Sequence, residues 1–292
     1  LGMGGSGLFA EVCGSTLAEP DGLRLVVLDT TDPTAIRTQQ RQCPLKQLLV
    51  IVSSKSGSTS EVAALSKYFY AALEQAQRSP GAQCVAITDE GSPLEAQAKA
   101  WRFRRIFAHG PGTGVEVGGR FSALTCFGLV PAALMGADVA RLLRRAEEML
   151  ERCAPNRPAR ENPALQLGAA LGGLALAGRD KLTLLCAPEL SGVGTWIEQL
   201  IAESTGKQGR GIVPITGEPA REPGAYGSDR LFVALTLAAH EDAELDQRLL
   251  ALERAGHPVI RIRWQDRYDL GGALEDIKQK LEQVIQTERA GI

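Results

Sequence analysis

Aromatic residues make up only 5% of the 292 residues, there are three histidines, and neither sign of charge prevails, since 32 Lys and Arg stand against 34 Asp and Glu for a net charge of −2. A chain without a basic field has no general hold on nucleic acid or an anionic membrane, so any anion it binds must be captured locally. No apolar run approaches the length of a membrane span. The opening residues, LGMGGSG, lack the basic start and apolar core of a secretory leader. The six cysteines (Cys13, Cys43, Cys84, Cys126, Cys153, Cys186) form no C-x-x-C pair, and several sit in apolar runs such as LTLLCAP. They read as reduced, mostly buried thiols, which points to a cytoplasmic protein. His109, His240 and His257 do not stand near cysteines at ligand spacing, so neither a zinc site nor another metal or cofactor is expected.

What remains is an ordinary globular composition, 44% hydrophobic and 23% charged, with 32 Gly and 15 Pro for tight connections. The length favours two domains over one core. Apolar strand-like runs alternate with helical spacing in both halves, which predicts an α/β fold of two doubly wound parallel sheets flanked by helices. Three prolines in CAPNRPARENP mark a linker at 154–163 between an N-terminal domain over 1–153 and a C-terminal domain over 164–292. Strands are predicted at 25–28, 48–52, 83–87, 105–107, 182–186, 231–237 and 259–262. Helices are predicted beyond Ser6, beyond Pro33, over 61–77, 93–100, 123–135 with Ser122 as its cap, 139–153 and 163–177, over the stretch holding Gln199 and Glu203, and over 242–255 and 272–287. A glycine-rich turn normally follows a strand, and this chain opens inside one without an initiator Met, so a preceding apolar strand is expected in the native product.

Three polar segments carry the chemistry. In TWIEQLIAESTGKQGRGIVP the spacing puts Gln199, Glu203 and Lys207 on one helix face. A carboxylate there can move a proton, although taken alone it reads as a surface pair with Lys207 worth about 0.2–0.5 kcal/mol. After the apolar run LLVIV comes SSKSGSTSE, in which Ser53, Ser54, Ser56, Ser58, Thr59 and Ser60 crowd around Lys55 and Gly57. A hydroxyl-rich loop between a parallel strand and a helix N-terminus binds phosphate by N–H groups, helix dipole and hydroxyls without a metal. That density of hydroxyls exceeds what capping needs, and G-x-x-x-x-G-K-[ST] is absent. The third segment, GGRFS, offers Arg120 beside close-approaching backbone, where a cation can stabilise a developing oxyanion; an isolated arginine would more often pair with a surface carboxylate.

GMGGSG, SKSGSTSE, GGRFSALT and QLIAESTGK, in this order over most of the chain, resemble the phosphoglucose isomerase family, built from two sugar-isomerase (SIS) domains. The wording AESTGKQGRGIVP followed by YGSDRLFV is most similar to the bacterial form fused behind a transaldolase. The resemblance implies Gly5 and Ser6 as sugar contacts and Ser54, Lys55, Ser56, Gly57, Ser58 and Thr59 as the phosphate loop. It further implies Arg120 beside the enediolate, Gln199 as a substrate contact and Glu203 as catalytic base. It also implies a homodimer acting on glucose 6-phosphate and fructose 6-phosphate. The family's ring-opening histidine is replaced here by Asp229, and its C-terminal lysine has no clear counterpart, which leaves Asp229, Lys207 and Lys278 as secondary candidates. A phosphomannose or dual-specificity isomerase is the alternative within the fold. A non-catalytic phosphosugar sensor is the alternative outside enzymes; it would not need Gln199, Glu203 or Arg120.

Overall fold

The computed structural model describes residues 1–76, 79–110, 118–206, 209, 211–240 and 242–273. The chain divides into two compact units. The first comprises Leu1–Gly14 and Ala18–Ala137, and the second Ser15–Leu17 and the chain from Asp138 onward.

The first unit holds a three-stranded parallel sheet in the order β1 (Val50–Ser53), β2 (Cys84–Asp89), β3 (Arg105–His109). Around it lie α1 (Gly5–Thr16), α2 (Pro33–Gln42), α3 (Ser60–Ala76), α4 (Pro93–Ala100) and α5 (Cys126–Leu134). Sequence dictates which face each strand buries, because side chains alternate along a strand. Val50, Val52, Cys84 and Ala86 join Val62, Leu65, Phe69 and Leu73 of α3 and Leu94 and Ala98 of α4 in one core. The i, i+3, i+7, i+11 spacing of the α3 residues is the helical counterpart of that alternation. Caps fix helix starts: the Asp32 carboxylate accepts from Ala35 N–H at 2.7 Å ahead of Pro33, and the Ser92 hydroxyl from Glu95 N–H at 3.1 Å ahead of Pro93.

Two local expectations are corrected. The run Leu25–Leu28 is not a strand; it joins no ladder of the sheet, and of its four residues only Leu28 is buried. Nor does Ser122 cap α5. Its hydroxyl donates to Gly119 C=O at 2.6 Å inside a 3-10 turn (Gly119–Leu124), and Thr125 takes the cap, its hydroxyl accepting from Phe127 N–H at 3.3 Å.

The second unit holds a four-stranded parallel sheet in the order β5-β4-β6-β7, formed by β4 (Lys181–Cys186), β5 (Val213–Ile215), β6 (Arg230–Leu237) and β7 (Val259–Trp264). With it pack α6 (Val139–Arg152), α7 (Pro163–Leu176), α8 (Ser191–Thr205) and α9 (Ala243–Arg254). Here the alternation is read on both faces. Leu182, Leu184, Leu231 and Val233 pack with Ile201 of α8 and Leu171 and Leu174 of α7, whereas Leu185, Phe232 and Ala234 pack with Leu249 and Leu252 of α9. Helices on both faces of a parallel sheet make the unit doubly wound, as expected. The helix α6, which precedes the proline-rich 154–163, packs in this second unit. Strand β5 has only three residues and did not stand out as a run of strand formers. The expected helix over 272–287 lies almost entirely outside the described residues.

Candidate functional site

In the first unit, the turn into α1 and the loop from β1 into α3 lie at one end of the sheet. Leu1 runs alongside β1 in parallel fashion: its N–H group donates to Ile51 C=O at 2.7 Å and its C=O accepts from Ser53 N–H at 2.8 Å. The turn that follows, with Gly4 at φ 55°, delivers Gly5 as the first residue of α1. Ser6 stands in that first turn; its side chain lies outside the described set. One strand over, β1 ends at Ser53 and α3 begins at Ser60, so the loop 54–59 opens at the same end. Two helix N-termini, each with unsatisfied N–H donors and the positive end of a helix dipole, therefore face the carboxyl end of this sheet.

The loop itself is folded by its own hydroxyls. Ser54, 3% exposed, pairs with Thr59 at 3.2 Å between oxygens, and Ser56 pairs with Ser58 at 2.9 Å, while Ser58 N–H donates to the Ser56 hydroxyl at 3.3 Å. Ser56 and Ser58 are not buried, so these are donors presented to solvent rather than capping groups enclosed in the helix start. Gly57 takes φ +64°, and a Cβ there would lie 2.8 Å from the Leu94 backbone nitrogen, so both conformation and contact require glycine. The loop is tied to the neighbouring strand end: Ser54 N–H donates to Ile87 C=O and Asp89 N–H to Lys55 C=O, both at 3.0 Å. Lys55 Nζ lies 3.1 Å from Asp89 Oδ2. Asp89 was not singled out from sequence. One carboxylate stands at the helix start: Ser60 donates to Glu61 at 2.9 Å, and its own backbone N–H together with that hydroxyl holds the Glu61 carboxyl below its ordinary range.

Arg120 lies in the 3-10 turn before α5, and its side chain is outside the described residues.

In the second unit, α8 buries Val193, Trp196, Leu200, Ile201 and Ser204 on one side. Gln199 and Glu203 lie at the margin of that side, where Gln199 Nε2 donates to Glu203 Oε1 at 2.9 Å and Glu203 is exposed. The shared face expected for these two is thus present, and the amide fixes the carboxylate. Lys207 and Lys278 lie outside the described residues. The turn after α8 is closed by Thr205, whose hydroxyl donates to Ile201 C=O at 2.9 Å and accepts from Ile212 N–H at 3.1 Å. Ile212 leads into β5, whose Val213 is in register with Lys181, and Lys181 is in register with Arg230. The Glu203 end of α8 therefore returns to the edge where β4 and β6 begin, and Asp229 sits at that edge. Its carboxylate is 3.2 Å from Lys181 Nζ, which also bonds Asp180 at 2.7 Å. These partners, Asp180 first and Asp229 second, push the Lys181 ammonium above its ordinary range. Neither Lys181 nor Asp180 was singled out from sequence. The segment before Asp229 is pinned by Tyr226, whose hydroxyl accepts from Arg221 N–H and Arg248, and by Arg230 paired with Glu218 at 2.8 Å.

His240 bonds Glu189 at 2.6 Å on an exposed surface, and His257 is buried, its Nε2 3.0 Å from Pro223 C=O. Among the described residues no group of three or more His, Cys, Asp or Glu side chains is placed to hold a metal ion, and no helix is long and apolar enough to cross a membrane.

Two parallel sheets flanked by helices, the first with a hydroxyl-lined turn at its carboxyl end, define an α/β protein of the sugar-isomerase fold. A probable glucose-6-phosphate isomerase of Haloarcula marismortui is 35% identical over 217 residues, 73% of this chain and 48% of the relative. A glucose-6-phosphate isomerase of Geobacter sp. strain M21 is 35% identical over 213 residues, 71% of this chain and 39% of the relative. The chain is similar to glucose-6-phosphate isomerases over more than two thirds of its own length, and it spans about half or less of the length of these curated relatives. Among solved structures, a hypothetical protein of Thermus thermophilus superposes with a TM-score of 0.83 at 26% identity, covering 96% of this chain and 75% of that one. A glucose-6-phosphate isomerase of Chlamydia trachomatis shares the fold with a TM-score of 0.75 at 21% identity, covering 96% and 63%. No protein-family model matches the chain.

Proposed function

We propose that the chain catalyses the reversible conversion of glucose 6-phosphate and fructose 6-phosphate through a cis-enediol(ate), without metal or cofactor. The observation that carries this reading is the hydroxyl loop 54–59 at an end of the sheet shared by two helix N-termini, in a chain whose exposed Gln199–Glu203 pair is available for proton transfer. The phosphate is held by the N–H groups and hydroxyls of Ser54, Ser56, Ser58 and Thr59, and Gly5 and Ser6 contact the sugar. Binding at the phosphate, remote from carbons 1 and 2, orients those carbons. Glu203 removes the proton alpha to the carbonyl and returns it to the adjacent carbon, with Gln199 fixing its carboxylate. Arg120 stabilises the enediolate oxygen. Asp229, bonded to Lys181, is the group proposed for proton exchange with the ring oxygen that opening the cyclic sugar requires. The two domains joined through 154–163, a homodimer, a cytoplasmic setting, a place in glycolysis and gluconeogenesis and kinship with the transaldolase-fused form complete the proposal.

The test is a coupled assay of fructose 6-phosphate conversion without added metal, on this chain and on Glu203→Gln. Turnover in the first and its loss in the second, with glucose 6-phosphate binding kept in both, is the expected result. Binding without turnover in the unmodified chain would favour a phosphosugar-sensing module.

A further inference from the structure

Of the cations near the phosphate loop, Lys55 is the one within it, and its ammonium is already engaged. Nζ is 3.1 Å from Asp89 Oδ2, with both side chains about a third exposed at 29% and 30%. The pair does not hold the loop in place by itself. That is done by backbone: Ser54 N–H to Ile87 C=O, Asp89 N–H to Lys55 C=O, and the seat of Gly57 against Leu94. Thr88 Oγ1, itself 2.7 Å from Ser92 Oγ, adds a bond to the same Lys55 carbonyl at 3.3 Å. A partly exposed ion pair adds little to stability. What the pair fixes is where the positive charge points.

Asp89 has a second peculiarity. Its Oδ1 is buried and accepts no hydrogen bond among the described residues, a costly state for a carboxylate oxygen that an amide would relieve little and a neutral hydrophobic side chain entirely. The carboxylate closes β2, one strand away from the loop, beside His109, its register partner on β3, and Glu90. Glu61 adds another negative charge at the start of α3. A dianionic ligand in the loop thus meets dipoles and hydroxyls, with the one loop cation shared out to a carboxylate.

We infer that Asp89 is a positioning residue that acts through Lys55: it holds the ammonium off the phosphate and sets the affinity of the loop for a dianion. The inference rests on the phosphate-loop reading above. It makes a prediction of sign that a simple structural staple does not. Asp89→Asn releases Lys55 to the phosphate, and the dissociation constant for glucose 6-phosphate falls, by about fivefold for one added charge at partly screened distance. Lys55→Gln removes the ammonium whose direction Asp89 sets, and the constant rises by about threefold. Because Asp89 acts through the ammonium, the double variant binds within about twofold of Lys55→Gln, and the loss of the fivefold gain is the coupling that a double-mutant cycle reads.

The measurement is calorimetric titration of glucose 6-phosphate and of inorganic phosphate into the full chain and the three variants at low and high salt, with Ser56→Ala and Thr59→Ala alongside. A steeper salt dependence for Asp89→Asn than for the unmodified chain is expected as well, since the freed ammonium then meets the dianion. Weaker binding by Asp89→Asn, or a double variant that binds about fivefold tighter than Lys55→Gln, overturns the inference while leaving the loop reading intact. If the hydroxyl variants and Lys55→Gln all leave both ligands bound as before, the loop reading fails and this inference with it.

Discussion

Each unit contains a strand that runs through a short loop into the N-terminus of a helix, β1 to α3 in one and β4 to α8 in the other, and the two loops have been filled in opposite ways. The first carries the hydroxyl pairs Ser54–Thr59 and Ser56–Ser58. The second, Ala187–Leu190, offers no hydroxyl; α8 starts without a side-chain cap, and the Glu189 carboxylate next to that start is bonded to His240. A helix N-terminus attracts anions in either setting, but only the first is furnished with donors and left clear enough to receive one. In the second unit the polar chemistry has moved to the far end of the helix, where Gln199 pairs with the exposed Glu203. The fold supplies the same dipole twice, and side chains furnish one copy with hydroxyl donors at its N-terminus and the other with a carboxylate near its C-terminus.

The sharpest way to break this division is to remove each function separately. Glu203→Gln should lower kcat by roughly 10²–10⁴, the range for a positioned general base, with little change in KM. Replacing Ser54, Ser56 and Thr59 together by Ala should do the reverse. It should raise KM for the sugar phosphate by roughly three orders of magnitude or more, at about 1.5–3 kcal/mol per bond to a charged group, and leave binding of unphosphorylated glucose unaltered. A kcat loss as large as that of Glu203→Gln would mean that the loop is not a recognition element. Thr205→Val removes the hydroxyl that ties the end of α8 to Ile212. Stability should fall by about 1–3 kcal/mol in urea unfolding, with kcat reduced and phosphate affinity kept. The smallest effect is expected at the loop of the second unit: Glu189→Gln should change KM by less than about twofold, and a larger change would place a ligand where the comparison leaves none.

Much of this was legible before any coordinates. The spacing of Val62, Leu65, Phe69 and Leu73 requires α3, and the hydroxyl run after LLVIV locates a strand-to-helix loop with little ambiguity. The i, i+4 relation of Gln199 and Glu203 is a statement about one helix and holds as a 2.9 Å hydrogen bond. The misses have physical causes. Leu25–Leu28 has strand formers, but a strand is defined by a hydrogen-bonded partner, which residue type cannot supply. Strand β5 is three residues with a proline in the middle, tolerable because it lies at the sheet edge. Ser122 and Thr125 compete for one helix start, and the 3-10 turn decided between them. Lys55–Asp89 and Lys181–Asp229 are pairs made by parallel pairing of strands distant in sequence, so no local pattern announces them.

The central claim is that one exposed carboxylate, Glu203, carries the proton between carbons 1 and 2. The most direct measurement follows fructose 6-phosphate in D₂O by proton NMR with this chain as catalyst. A base open to solvent exchanges its proton before returning it, so glucose 6-phosphate bearing deuterium at carbon 2 is predicted from the unmodified chain, and none from Glu203→Gln. Turnover with no solvent deuterium in the product would mean hydride transfer or a base closed to solvent, and deuterium incorporation undiminished in Glu203→Gln would assign the base elsewhere; either result would contradict the account.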